Sequence, residues 1–356
     1  MSDLPTATLE IDLAALLHNY RALKALAGRA EVAPVVKADA YGLGMAEIAP
    51  FLHSHGARTF FVARLEEGID LRRILRDTSA DIYVFDGLRK GQNALFVAHN
   101  LRPVLNSLDD YARWITGPSE VVAAAQIDTG MNRLGLRPDQ VSQLKSKPNT
   151  HRLSLIMSHL ACGDQPDHPM NADQLHLFHH HTDGFIGTPK SLANSAGTFM
   201  GRDYHFDLVR PGISLYGGGP FGESHPDLRP VAHLSARVLQ VRDLKAGDSV
   251  GYGAQFTAPS DMTIATIGIG YADGLLRALS GRGHVTIRGR RRPILGRISM
   301  DVTSIDVTGL NVQTGDKAVL FGDSPTLDEQ ATAAQTISYE LLTRLGSRFE
   351  RTYKRI

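Results

Sequence analysis

Residues 59–75 read TFFVARLEEGIDLRRIL, a short apolar run followed at once by an amphipathic stretch. Thr59–Arg64 is nearly continuous in hydrophobicity, as a strand buried on both faces should be, and Leu65–Leu75 has helical spacing, like Leu13–Leu26. The same alternation recurs through the first two-thirds of the chain. The other strand-like runs are Val32–Lys37, Asp81–Asp86, Arg102–Asn106, Val122–Asp128, Leu153–Leu160, Ser191–Ser195 and Phe206–Arg210. Eight such runs within roughly 200 residues predict an α/β fold, a parallel (β/α)8 barrel of the TIM type.

After about residue 233 the pattern changes to short strands separated by turn dipeptides. No long helical pattern interrupts them before Thr336–Leu345. We therefore expect residues 10–233 to form the barrel and residues 234–356 to form a mainly antiparallel β domain, which the N-terminal residues 1–9 join. The predicted strands of that domain are Val238–Val241, Met262–Ile269, His284–Ile287, Val302–Val307 and Lys317–Phe321.

Composition excludes several classes of partner. The 38 basic and 37 acidic residues leave a net charge of +1, which favours neither nucleic acid nor an anionic membrane surface. No apolar run is long enough to span a membrane, and the N-terminus lacks the basic and small-residue features of a secretory signal. The single cysteine, Cys162, excludes an intrachain disulfide framework. We expect a cytoplasmic protein.

Lys37 is the last residue of the first predicted strand. Barrel enzymes place their chemistry at the C-terminal ends of the strands, where desolvation can lower the pKa of a lysine and make it nucleophilic. Alternatively, a lysine at a strand end extends to solvent. The turn after Lys37 favours the first interpretation, because Asp39, Tyr41, Gly42 and Gly44 could bring a phenol and the backbone toward a phosphate.

Residues 35–44, VVKADAYGLG, closely resemble the pyridoxal-phosphate attachment segment of bacterial alanine racemases, and the resemblance extends almost end to end. Several matching blocks that follow one another in the same order as in the family are far more specific evidence of a relationship than a single matching motif. The further blocks are DTGMNRLG (128–135), SHLACGD (158–164), ANSAG (193–197), VRPGISLYG (209–217), GYGA (251–254), GIGYADG (268–274), GRISMD (296–301) and TISYE (336–340).

The resemblance implies a homodimer that interconverts L-alanine and D-alanine with pyridoxal 5'-phosphate and supplies D-alanine for cell-wall peptidoglycan. Racemisation needs two bases because the proton leaves one face of a planar carbanion and returns to the other. By resemblance, Lys37 holds the cofactor and serves the D face, and Tyr252 of the partner subunit serves the L face. His159 and Arg210 assist Tyr252, and Arg210 also donates to the ring nitrogen of the cofactor.

The resemblance also implies the remaining site residues. Met300 of the partner subunit, through its backbone N–H, and Arg133 bind the substrate carboxylate. Tyr271 and Tyr339 form a gate at the entrance to the site. The cofactor-binding residues are Lys37, Tyr41, Arg133, His159, Asn194, Ser195, Arg210, Gly212, Ile213 and Tyr339. Gly212 suits a phosphate site because a close backbone approach leaves no room for a Cβ.

One departure from the family concerns Gln126, which stands where many relatives have a lysine that carries a carbamate. Glutamine cannot carry a carbamate and supplies no negative charge to balance Arg133. Two alternatives remain open: the amide of Gln126 suffices by itself, or a small anion such as chloride replaces the missing charge. A second departure, Ser299 in place of a cysteine, does not involve the proton-transfer pair.

Other functions remain as alternatives. A racemase of broader specificity would act on serine or basic amino acids, and a decarboxylase could use the same two-domain scaffold. A non-catalytic pyridoxal-phosphate-binding protein would resemble the barrel alone. The histidines at 176 and 179–181 have a spacing that could bind a metal, but a solvated helix face explains them better, so we expect no metal.

Overall fold

The computed structural model describes residues 5–76, 79–118 and 121–355. The chain forms two compact units. One comprises residues 19–215, and the other combines the residues up to His18 with those from Tyr216 onward. Among the described residues, none of the helices has both the length and the apolar character needed to cross a membrane.

The strands of both units are numbered along the chain. They are β1 (Ala7–Asp12), β2 (Glu31–Val32), β3 (Thr59–Val62), β4 (Asp81–Val84), β5 (Arg102–Leu105), β6 (Ala123–Gln126), β7 (Leu153–Met157), β8 (Lys190–Ser191), β9 (Leu208–Val209), β10 (Ala232–Leu244), β11 (Ser249–Val250), β12 (Phe256–Thr257), β13 (Met262–Ile267), β14 (His284–Ile287), β15 (Arg290–Leu295), β16 (Thr303–Asp306), β17 (Lys317–Phe321) and β18 (Glu350–Lys354).

The helices alternate with the strands in the first unit and are few in the second. They are α1 (Leu13–Ala27), α2 (Met45–Ser54), α3 (Leu65–Leu75), α4 (Asn93–Ala98), α5 (Leu108–Ile115), α6 (Pro138–Lys145), α7 (Pro169–Thr182), α8 (Ser195–Phe199), α9 (Leu327–Ala333) and α10 (Ser338–Thr343).

Strands β2 to β9 close into a parallel barrel. β3 to β8 form one six-stranded sheet, and β2 pairs with β9. Backbone hydrogen bonds complete the ring: the N–H of Val36 donates to the carbonyl of Phe61 at 2.9 Å, and the N–H of Arg210 donates to the carbonyl of Ala193 at 2.9 Å. The predicted (β/α)8 barrel is therefore confirmed.

The first and last predicted barrel strands differ from the structure. Regular pairing of the first strand with β9 stops at Val32, not at Lys37. The N–H groups of Ala33 and Val35 still donate to the carbonyls of Val209 and Pro211, at 2.9 and 3.0 Å, but Pro211 has no N–H to return a bond. A single parallel bridge at Val35 continues the contact with β3. Near the end of the barrel, the predicted run Ser191–Ser195 overlaps β8 only at Ser191, and Ser195 already begins a helix. The predicted run Phe206–Arg210 shortens to β9, and its first residue, Phe206, has a positive φ of 52°, outside the strand conformation.

Residues 38–41 form an unusual turn directly after Lys37. Ala38, Asp39, Ala40 and Tyr41 all have positive φ angles, between 52° and 58°. The left-handed conformation costs roughly 1–2 kcal/mol for each non-glycine residue, and such strain persists only where the surroundings hold it in place. The chain leaves the turn at Gly42, whose N–H donates to the carbonyl of Ala38 at 2.8 Å.

The second unit is built on a closed antiparallel sheet. Strands β10, β13, β16, β15, β14 and β17 form the ring, in that order. β1 pairs antiparallel with β10 and parallel with β18, so the N-terminal strand belongs to this sheet. The mainly antiparallel β domain is confirmed. The boundary at residue 233 stays a prediction, and residues 1–4 of the predicted N-terminal segment lie outside the described residues.

Several elements of this unit differ from expectation. β10 spans Ala232–Leu244, far beyond the predicted Val238–Val241, and it pairs with β1, β13 and β17 along that length. The predicted helix Thr336–Leu345 shortens to α10, and the sequence analysis did not predict α9.

Candidate functional site

Lys37 stands between the first barrel strand and the left-handed turn. Burial lowers the pKa of its amine, and the positive charge of Arg133 lowers that pKa further, while the carboxylate of Glu67 opposes the shift. Its Nζ lies 5.8 Å from the ring centre of Phe85. An amine in such surroundings has more of the neutral, nucleophilic form at a given pH than a solvated lysine.

Arg210 follows β9 and is almost fully buried. Its guanidinium donates to the Ser191 hydroxyl and to the carbonyl of Ser158, and it lies 5.9 Å from the ring centre of Phe61. Burial lowers the pKa of Arg210 to about 9, so the group remains a cation at neutral pH. The rings of Phe61 and Phe85 stack with centres 5.1 Å apart. This ring pair therefore connects the surroundings of Arg210 with those of Lys37.

His159 lies among the three cations of the site. Desolvation is the largest cause that lowers the pKa of His159 to about 3, and the charges of Arg210, Arg133 and Lys37 add to it. The imidazole is therefore neutral near pH 7. Because each cation acts on His159, these four predicted residues are close together at one end of the barrel.

Gln174, on α7, fixes the backbone around His159. Its side chain is buried; its Nε2 donates to the carbonyl of His159 at 2.9 Å and to the Thr129 hydroxyl at 3.0 Å. The N–H of Ala161 donates to its Oε1 at 2.8 Å. One amide thus joins the loop that follows β6 to the loop that follows β7.

Tyr41, Ser195 and Gly212 form a close-packed cradle. An ideal Cβ at Gly212 would lie 2.1 Å from the phenol oxygen of Tyr41, so only glycine fits beside that phenol. The Ser195 hydroxyl accepts from the N–H of Gly212 at 2.9 Å and from that of Ser214 at 3.3 Å. The buried Ser214 hydroxyl has no protein partner within the described residues.

The predicted neighbours of this cradle lie on the same two segments. Asn194 precedes α8 and accepts from the N–H of Gly197 at 2.9 Å, and Ile213 begins a short turn of 3₁₀ helix after Gly212. Hydroxyls and backbone N–H groups that converge without an acidic side chain are suited to an anion such as a phosphate.

Arg133 is exposed on the loop after β6. The Asp128 carboxylate accepts from two N–H groups of that loop, at 3.0 and 3.1 Å. The buried Gln126 donates its side-chain amide to the carbonyl of Leu134 at 3.0 Å. This contact involves the amide nitrogen of Gln126 and the backbone next to Arg133.

The second unit carries the other predicted residues. Tyr252 and Tyr271 line a cavity of about 690 Å³ together with Arg297 and Arg344. Tyr252 is 70% exposed, in a turn where Gly251 and Gly253 both have positive φ angles. The side chain of Tyr252 is therefore accessible at the surface of this unit.

Met300 and Tyr339 are also exposed on the second unit, at 52% and 37%. The carbonyl of Met300 accepts from the N–H of Ala272 at 3.0 Å, which places Met300 beside the turn that carries Tyr271. Tyr339 lies on α10. The second unit thus presents all four of its predicted site residues on exposed turns and one short helix.

The barrel site fits pyridoxal phosphate. A desolvated lysine can bind an aldehyde, and the Gly212 cradle with the unpartnered Ser214 hydroxyl can bind a phosphate. Within the described residues no cluster of His, Cys, Asp or Glu is suited to a metal ion. The fold and this site define a class, that of two-domain barrel proteins whose site combines an amine with an anion cradle.

Comparisons with known proteins identify the family. Residues 11–220 match the alanine racemase N-terminal domain, and residues 231–353 match the alanine racemase C-terminal domain. The chain belongs to the alanine racemase family.

Individual relatives match over nearly the whole chain. An alanine racemase of Rhizobium meliloti is 44% identical over 98% of this chain and 97% of its own length. A catabolic alanine racemase of Agrobacterium fabrum is 44% identical over 97% of this chain and 91% of its own. The crystal structure of the Bartonella henselae alanine racemase, which has covalently bound pyridoxal phosphate, matches with a TM-score of 0.92 and 39% identity over 98% of this chain and 99% of its own.

Several residues that contact or flank the site were missed in the sequence analysis, among them Gln174 and Ser214. Phe61 and Phe85 face the two cations, and Glu67 accepts a hydrogen bond from the N–H next to Lys37. The two phenylalanines were counted only as strand residues. Glu67 carried a usable signal, since it is the third residue of the predicted helix, where an acidic side chain often reaches back to the backbone.

Proposed function

We propose that this protein interconverts L-alanine and D-alanine with pyridoxal 5'-phosphate bound to Lys37. The observation that carries the proposal is the desolvated amine of Lys37 beside Arg133, His159 and Arg210, in a chain that matches alanine racemases over nearly its full length. Bound pyridoxal phosphate withdraws electrons from the substrate and so makes the proton on its α-carbon acidic.

The residues of the barrel have separate tasks in this proposal. Lys37 binds the cofactor and then accepts or returns the proton on one face of the substrate. Arg210, fixed by its hydrogen bonds, donates to the cofactor's ring nitrogen and keeps that nitrogen unprotonated, which limits proton return at the wrong carbon. Tyr41, Ser195, Gly212 and Ile213 hold the phosphate. Asn194 orders the segment that carries Ser195.

The second proton-transfer residue is Tyr252 of the partner subunit, which acts on the opposite face. A homodimer with shared sites accounts for the exposure of Tyr252, Tyr271 and Met300 on the second unit. In this arrangement Arg133 and the backbone N–H of Met300 bind the substrate carboxylate. Tyr271 and Tyr339 stand at the entrance of the site.

The proposed setting is the cytoplasm, with D-alanine supplied for cell-wall peptidoglycan. The balanced charge of the chain gives no support to nucleic acid or a membrane as a partner.

The test is a scan of the twenty L-amino acids with chiral analysis of the products. We expect alanine to be racemised with the highest kcat/KM; comparable rates on serine or lysine would mean a broader racemase. In parallel, borohydride should fix the cofactor on Lys37. K37R should lose that label. K145R is the matched control and should keep the label; Lys145 was chosen because its Nζ also lies over an aromatic ring, 5.7 Å from the centre of Phe185. A label on another lysine would refute the proposed attachment.

A further inference from the structure

Glu67 joins three backbone segments around Lys37. Its Oε1 accepts from the N–H of Ala38 at 2.8 Å. Its Oε2 accepts from the N–H of Ala63 at 2.7 Å and from that of Arg64 at 3.2 Å. One carboxylate therefore links the residue after Lys37, the end of β3 and the beginning of α3.

Helix capping explains only part of this arrangement. An acidic residue at the third position of a helix commonly accepts from the N–H of the residue that precedes the helix, here Arg64. Capping does not require the bond to Ala38, which belongs to a segment 29 positions earlier in the chain. That second contact attaches the helix to the left-handed turn that follows Lys37.

The turn needs such an attachment. Ala38, Asp39, Ala40 and Tyr41 are all left-handed without being glycine, and a strained segment keeps its shape only if its surroundings fix it. The bonds inside the turn use the carbonyls of Ala38 and Asp39, which accept from the N–H groups of Gly42 and Gly44, and they leave the N–H of Ala38 to Glu67. Glu67 fixes its first residue, next to Lys37.

Glu67 also balances charge at the amine. Among the described residues, Arg133 and Glu67 act on the charge of Lys37, and Lys37, Arg133 and Arg210 act on His159. Within this set Glu67 is the negative group. Its carboxylate raises the pKa of Lys37, against burial and Arg133, which lower it. A proton-transfer lysine must both accept and release a proton, so a counter-charge that keeps its protonated form accessible is useful.

We propose that Glu67 is a positioning residue for Lys37, which holds the start of the left-handed turn and keeps one negative charge beside the amine. This inference rests on the proposed racemase function, because that function gives Lys37 its role.

The test measures the titration of Lys37 in the cofactor-free protein. Lys37 is labelled with acetic anhydride across a pH series, and mass spectrometry quantifies the label against a reference peptide. Glu67→Gln keeps the size of the side chain and removes the charge, so the labelling midpoint should move to lower pH by on the order of 1 pH unit. Glu66→Gln is the matched control: it removes a charge from the adjacent, exposed residue.

The holoenzyme provides a second measurement. Glu67→Gln should lower kcat about tenfold and shift the acidic limb of the kcat profile in the same direction as the labelling midpoint, whereas Glu66→Gln should leave both unchanged. Glu67→Asp keeps the charge but is too short to reach Ala38 and Ala63 together; its midpoint should lie between those of the wild type and Glu67→Gln.

Identical midpoints in Glu66→Gln, Glu67→Gln and Glu67→Asp would overturn the inference. If Glu67→Gln does not fold, Glu67→Asp decides: a midpoint and kcat equal to those of Glu66→Gln would also overturn it. Labelling needs neither cofactor nor substrate, so a midpoint that shifts in a protein without racemase activity would contradict the proposed function and leave the role of Glu67 beside the amine intact.

Discussion

The phenol oxygen of Tyr41 packs against Gly212 so closely that a Cβ on residue 212 would lie 2.1 Å from it. The two residues come from opposite ends of the barrel sequence, one after the first strand and one after the last. Tyr41 is also the final residue of the left-handed turn, so this contact connects the Lys37 segment with the phosphate cradle.

Gly212→Ala should destabilise the cofactor-free protein by about 1–3 kcal/mol, because the added methyl group overpacks the contact with Tyr41. The reason is steric, since glycine here is needed for space. We expect weaker binding of pyridoxal phosphate as well. The measurement is urea unfolding in the wild-type and Tyr41→Ala backgrounds, and the cost of the methyl group should largely disappear when the phenol is absent. An equal cost in both backgrounds would show that Tyr41 is not the obstacle.

His159 should make the protein sensitive to acid. Its folded pKa of about 3 lies below the ordinary value of 6.5, so the unfolded chain binds more protons between those two pH values. Stability should therefore fall as the pH decreases from about 6.5 toward 3, by up to about 1.4 kcal/mol per pH unit from this residue. Urea unfolding at pH 7 and pH 5 should show a smaller difference for His159→Asn than for the wild type. His151→Asn, at an exposed position, is the control and should behave as the wild type does.

The barrel could be predicted from sequence because its strands are buried on both faces and read as continuous apolar runs; the predicted helix Leu65–Leu75 agrees with α3 residue for residue. The left-handed turn could not, because three of its four residues are alanine or tyrosine, which carry no local signal for positive φ. Only contacts with distant residues, such as Glu67, select that conformation.

The second unit also contains elements that were predicted incompletely or not at all. β10 was predicted too short at both ends. Residues 232–237 (AHLSAR) mix apolar and polar side chains at the predicted domain boundary, and Arg242 and Asp243 are exposed, so the pairing of both parts depends on neighbouring strands. By contrast, α9 had a local signal that was overlooked: Thr326 and Glu329 form a reciprocal capping box at its start.

The positions of Lys37, Arg210 and Gly212 followed from strand ends and from the resemblance, whereas the aromatic pair Phe61 and Phe85 emerged only from three-dimensional packing.

Tyr252→Phe should affect the two enantiomers unequally. If Tyr252 serves the L face, the variant should exchange the α-proton of L-alanine for deuterium at least a hundredfold more slowly, while exchange from D-alanine should fall much less, since general acid–base catalysis commonly contributes that much. Proton NMR in deuterium oxide measures both rates. Tyr353→Phe removes a phenol elsewhere in the second unit and is the control. Equal losses for L-alanine and D-alanine would refute the assignment of opposite faces.

Mixed dimers test whether the site is shared between subunits. Lys37→Ala and Tyr252→Phe variants should each be nearly inactive, and after subunit exchange the mixture should recover activity, because one of the two sites in each mixed dimer has both residues. Mixing Lys37→Ala with the double variant is the control and should recover nothing. If exchange is demonstrated by mass spectrometry and activity stays absent, each site is built within one chain.

Gln126 should act on substrate binding more than on turnover. Its amide holds the carbonyl of Leu134, next to Arg133, so Gln126→Ala should release the loop and raise KM for alanine roughly two- to tenfold with little change in kcat. Gln143→Ala, on the exposed face of α6, is the control. The wild type should then be assayed in chloride and in a large organic anion at equal ionic strength. A higher KM without chloride would indicate that an anion supplies the charge that Gln126 lacks, whereas equal values would mean that the hydrogen bond to Leu134 suffices. If Gln126→Ala matches Gln143→Ala in KM, the amide does not position Arg133.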